Sequence, residues 1–204
     1  MPSLISTLSK TEQRELLEDL NYLNMCEIKM FCDRHSIPYA IWIETEDDGR
    51  RKTPDDDRKG VILNRIRHYL KTGYVLGPTC FPARVVRFDD LPKKIKATDR
   101  LFYGQYDKKH DAMIGLLERL TDGQFKNGAI GRILAREFWN KGTAPTYQEY
   151  ALAWLEAKKN HKRPHPEWAF LSDRADGKGN ANWKQLRTKK AKQVLRILNR
   201  LELK

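Results

Sequence analysis

No stretch of this chain approaches the roughly 18 uninterrupted apolar residues that a membrane span requires. Met1 to Thr11 lacks the charged start and apolar run of a signal peptide. The expectation is a cytoplasmic protein without a membrane partner. Cysteine is scarce: Cys26, Cys32 and Cys80 are odd in number and form no C-x-x-C pair, which argues against a disulfide framework and fits reduced thiols in an intracellular setting. Catalytic signatures are missing as well. The chain has no Gly-rich phosphate loop, no G-x-S-x-G elbow, no H-E-x-x-H pair and no clustered Asp/Glu/His set of nuclease spacing. His35, His68, His110, His161 and His165 have no Ser, Cys or carboxylate partner that spacing nominates. Cys32 and His35 stand three apart on one helix face, as two metal ligands can, but a core thiol beside a half-buried imidazole accounts for both more simply. The chain is therefore read as nonenzymatic, with no metal and no cofactor.

Negative charge is the minority. Asp and Glu number 27 against 39 Lys and Arg, for a net charge of +12, an excess that raises the potential toward phosphates and releases counterions on binding them. The excess is uneven. From Lys158 to Lys204 there are 14 basic residues against four acidic ones, so +10 of the net charge lies in the last quarter. With 40% hydrophobic residues the chain still has the means to build a core.

Periodicity points to helices. Ser9 or Thr11 caps a helix through about Tyr22, with Leu16, Leu17 and Leu20 on one side. Asn24 and Glu27 have the spacing of a capping box, after which Ile28, Phe31, Cys32 and His35 share a face until Pro38 ends the helix. A second helix is predicted from Thr53 as cap and Pro54 as first residue. Asp55, Asp56 and Asp57 suit its positive end better than they suit a Mg²⁺ site, and its apolar stripe is Val61, Ile62, Ile66, Tyr69 and Leu70.

Glu27-Ile28-Lys29, Cys32, Ile37-Pro38, Lys59, Ile62-Leu63 and Arg65-Ile66 together resemble the SAP motif. That resemblance covers residues 24–71 and implies a helix–extended loop–helix module that binds double-stranded DNA. The chain departs from the family in Ser36, where a Gly is usual, and in a long insert at 39–58 carrying Glu44, Glu46, Asp47 and Asp48. Within the insert Ala40 to Ile43 is β-prone and Asp48-Gly49 marks a turn. Because closure entropy grows only logarithmically with loop length, cutting out Ile41 to Asp48 is expected to leave the module folded.

After Gly73, the prolines and Gly77 forbid long elements in 74–97, which reads as an extended linker whose Phe81, Val85, Val86, Phe88 and Leu91 want burial. Helices follow over Asp99 to Thr121, Ala129 to Lys141, and Tyr147 to Asn160 behind a Thr146/Glu149 capping box. The aromatics Tyr147, Tyr150 and Trp154 suit a core better than a base-stacking platform. Trp168 to Leu171 offers one apolar turn, 173–182 reads as a flexible loop, and a last helix runs from Trp183 or Thr188 to about Leu201. Its apolar residues bury against the helical domain or a partner, leaving its basic half free.

The expectation is thus a mainly α protein: a lead helix plus SAP-like module over 1–73, an extended linker over 74–97 and a C-terminal helical domain over 98–204. The predicted function is binding of nucleic acid, duplex DNA before RNA, through phosphate contacts of low sequence specificity. The candidate contact residues are Lys29, Arg50, Arg51, Lys52, Arg58, Lys59, Lys184, Arg187, Lys189, Lys190 and Lys192. The alternative is an adaptor in which the SAP-like fold is structural and the last helix docks a protein partner.

Overall fold

The computed structural model describes residues 3–47, 49–106, 109–160 and 180–202, with backbone alone at 180–184 and 202. The expected turn at Trp168 to Leu171 and most of the expected loop at 173–182 lie outside these residues. Among them are seven α-helices and a three-stranded sheet, so the protein is mainly α. The chain divides into two units, one of 1–40, 55–78 and 164–204, the other of 41–54 and 79–163.

In the first unit α1 (Lys10–Asp19) starts at a capping box in which Ser9 Oγ accepts from Glu12 N–H at 3.3 Å and Glu12 accepts from Ser9 N–H at 3.0 Å. The expected run to Tyr22 is completed by a 3₁₀ turn at Leu20–Tyr22. α2 (Met25–Arg34) starts at the expected Asn24/Glu27 box, at 2.8 and 2.6 Å. It ends short of Pro38, with Ser36 at φ 53°. α3 (Lys59–Thr72) differs from expectation: it begins behind Arg58, and Pro54 and the aspartates precede it. Asp57 N–H donates to Tyr39 O at 2.7 Å, so this backbone is spent on an extended contact and no helix can start there. Gly73 closes α3 at φ 74°, its N–H donating to Tyr69 O.

The last helix, α7 (Asn180–Glu202), overturns the expected boundary at 98. It packs in the first unit, where Ala191, Val194, Ile197 and Leu198 join Leu16, Leu20, Phe31 and Ile66 in one core. The expected protein partner at this helix therefore finds its apolar side already covered by the N-terminal unit.

The second unit claims most of the insert. β1 (Ala40–Glu44) lies between β2 (Arg50–Asp56) and β3 (Cys80–Phe81), with β1 and β3 parallel and Trp42 opposite Cys80. The insert is thus two strands rather than one, and Thr45 N–H donates to Gly49 O across the turn. Ile41, Ile43, Phe81 and Val85 enter a core with α4 (Asp111–Leu120), α5 (Ala129–Asn140) and α6 (Tyr147–Asn160). The expected linker is therefore split between the units. The expected helix over 99–121 forms only from Asp111, because the backbone before it is engaged elsewhere: Leu101 N–H donates to Pro145 O and Tyr103 N–H to Val85 O, which takes these donors out of helical pairing. The Thr146/Glu149 box forms at 2.8 and 3.1 Å, and Tyr147, Tyr150 and Trp154 are core.

Candidate nucleic-acid interface

The candidate cations fall in both units and meet different fates. Arg50, Arg51 and Lys52 stand exposed on β2 in the second unit, and Arg51 lies over the Phe88 ring at 5.3 Å from its centroid. The rest belong to the first unit. Lys29 is paired with Asp56 of the insert and sits over the Tyr39 ring at 5.2 Å. The hydrogen bond to Asp56 is the main reason its ammonium is held above the ordinary lysine range. Lys59 donates to Asn21 O at 2.5 Å, and Arg58 is half-buried. The acidic insert thus reaches Lys29 on α2.

α7 was expected to present a free basic half, and the structure corrects this. Arg187 donates to Glu27 at 2.6 Å and to Tyr22 O at 3.1 Å, so it closes over the α2 capping box. Lys190 donates to Asp19 at 2.7 Å, a bond that raises its pKa. Arg200 pairs with Glu12 at 3.1 Å. These cations, with the buried apolar side, fasten α7 to the N-terminal helices. Lys184 lies at a position whose side chain is not among those described. Lys189, Lys192 and Arg196 remain, all exposed and without an ion pair among the described residues. Spacings of three and four residues place them on one helix face.

No protein-family model, curated protein or solved structure matches the chain.

Sequence reasoning missed three features. Arg196 completes the exposed row and was recognisable from its i+4 spacing after Lys192. Phe88, expected to be buried, is 57% exposed. Arg65, read only as part of the motif, is 6% exposed and ties the segments at 38, 57 and 77 to α3: its Nη1 donates to Asp57 at 2.7 Å and to Pro38 O at 3.0 Å, and its Nε to Gly77 O at 3.1 Å. Nothing in the spacing of Asp57 and Arg65 announces that pairing. Of the Cys32/His35 pair, Cys32 is fully buried in the core, and half-buried His35 lies tilted against Phe31 at 4.4 Å between ring centroids, with Nδ1 3.1 Å from the Tyr69 hydroxyl.

Proposed function

We propose that the protein binds nucleic acid without catalysing a reaction, gripping the duplex DNA backbone through the outer face of α7 with little sequence preference. The observation that carries this reading is the row Lys189, Lys192 and Arg196 on a helix whose other faces are fastened to the N-terminal unit. The seven steps from Lys189 to Arg196, at about 1.5 Å each, span roughly 10 Å, and one DNA strand presents about three phosphates over that rise. The row offers charges on a rigid support and no set of Asn, Gln and Arg aimed at base edges, which favours phosphate over base contacts. The SAP resemblance adds weight through Ser36, whose left-handed φ of 53° explains why a Gly is usual at that position. Lys29 is not among the proposed contacts, because Asp56 already engages it.

Lys189→Glu, Lys192→Glu and Arg196→Glu together are expected to flatten the slope of log K against log salt by about 2.7, from roughly 0.9 per phosphate contact. Melting should be unchanged, since none of the three is ion-paired. Anisotropy titrations on duplexes of unrelated sequence provide the test. Binding by the triple variant equal to that of the native chain, or no binding of any duplex by the native chain at low salt, refutes the reading. The second reading is the adaptor, favoured by exposed Tyr74, Val75 and Leu76, which are 61%, 44% and 42% accessible. It stands if no duplex binds.

A further inference from the structure

Among the described residues of the second unit, Phe88 is the one exposed aromatic, and its surroundings hold it in place. Arg87 N–H donates to Tyr103 O at 2.8 Å, which fixes the backbone beside it. Tyr103 meets the Phe88 ring edge to face at 6.1 Å. Gly104, at φ 95°, lets the chain pass so closely that a Cβ there would lie 2.1 Å from Arg87 O and 2.8 Å from the Phe88 ring. A single exposed apolar side chain is ordinary on a surface, but this ring is held in a fixed orientation by its neighbours and so presents a preformed apolar surface to a ligand.

The charge around it says which kind. Segments 50–52 and 84–100 carry nine Lys and Arg against three Asp, and the Arg51–Phe88 contact brings the two segments together. Arg84 and Arg87 are likewise held in place, Arg84 by a hydrogen bond to Gly142 O at 2.9 Å and Arg87 over the Phe102 ring at 4.3 Å. Of these guanidinium groups it is Arg51 that meets the exposed Phe88 ring, and an exposed ring with a cation against it on a basic surface is a combination that takes an unpaired base by stacking and its phosphates by charge. A cleft of about 570 Å³ adjoins, with Arg87 and Arg100 on its wall together with Asp89 and Asp90. Those carboxylates repel phosphate, which favours the Arg51 side of the ring for the sugar–phosphate backbone.

We infer that Phe88 is a base-stacking platform for single-stranded nucleic acid, with Arg51 as its cationic neighbour. The inference deepens the nucleic-acid reading but uses a different unit and a different substrate form from the α7 row. The test uses the full chain and labelled oligonucleotides of about 16 residues, the upper end of common single-strand site sizes: oligo-dT, oligo-U and one duplex. Phe88→Ala is expected to weaken oligo-dT binding at least about five-fold, the lower end for loss of one stacked base, with duplex binding and melting unchanged. Phe88→Trp is expected to retain affinity and to show indole quenching on oligo-dT addition. Equal affinity for oligo-dT and oligo-U would assign the site to single strands generally, and a difference would name the preferred strand, thymine-bearing DNA or uracil-bearing RNA; in either case the Phe88→Ala loss carries the stacking reading. The inference is overturned if Phe88→Ala binds oligo-dT as the native chain does, if it loses duplex and single strand alike, or if the native chain binds no single strand. The Lys189/Lys192/Arg196 reversal, read on the duplex, fails or succeeds separately.

Discussion

At the scale of single residues, burial decides which charges matter. The Arg65–Asp57 pair has side chains only 7% and 5% exposed, whereas Lys29 and Asp56 are each about one-third exposed, at 35% and 34%. Removing one partner of a buried pair leaves a charge that water cannot reach, and a surface pair is worth little after screening. Asp57→Ala is therefore expected to destabilise the first unit by roughly 3–5 kcal/mol, and Asp56→Ala by less than about 1 kcal/mol. Denaturant midpoints of the two variants decide, and equal losses would contradict the difference in burial. Cysteines divide the same way. Cys32 is fully buried, and desolvation pushes its thiol up to about 12, while Cys26 is exposed. Maleimide at mild pH is expected to label Cys26 in the native protein and to reach Cys32 only on unfolding, as mass spectrometry of the cysteine peptides would report.

At the scale of elements, the three capping boxes match their sequence signals, whereas the starts of α3 and α4 and the insert do not. The boxes at Ser9, Asn24 and Thr146 form because a capping side chain and the Glu three residues on satisfy each other's backbone donors locally, whatever surrounds them. At the first box the Glu12 carboxyl is held down to about 2 from its ordinary 4.5, mainly by the Ser9 backbone N–H and then by Arg200. A depressed carboxyl stabilises the fold above its unfolded pKa and loses that contribution as pH falls toward the folded value. The melting temperatures of the native chain and Glu12→Gln are therefore expected to differ by a constant amount above about pH 5 and to converge between pH 4.5 and about 2. A gap unchanged across that window would refute the assignment. The insert tells the opposite story. Closure entropy alone predicts that Ile41 to Asp48 is dispensable, but Ile41 and Ile43 are 0% and 2% exposed in the second core. Ile41→Ala is expected to destabilise the second unit by roughly 2–5 kcal/mol, the range for emptying a packed site, as equilibrium unfolding would measure.

At the scale of the whole molecule, the sequence by itself determined the mainly α class, the basic excess toward the C-terminus and most helix starts and stops. Each depends on composition or on residues three or four apart, and such information survives without knowing the fold. Phe31, Ile66, Val194 and Leu198 were each legible as inward-facing for the same reason. What only the tertiary structure decided is which elements share a core. α7 could have buried Val194 and Leu198 against any apolar face of suitable width, and hydrophobic attraction has no direction that names a partner. It chose the N-terminal helices, where Arg187 meets Glu27 and Lys190 meets Asp19 across more than 150 residues of chain. The candidate site changed with that choice. Cations that looked alike in sequence became fasteners at 187, 190 and 200 and free charges at 189, 192 and 196, because a helix turned onto a core can present only one side to a ligand. Phe88 followed the same logic in reverse: its hydrophobicity predicts burial, and the tertiary structure leaves the ring 57% exposed.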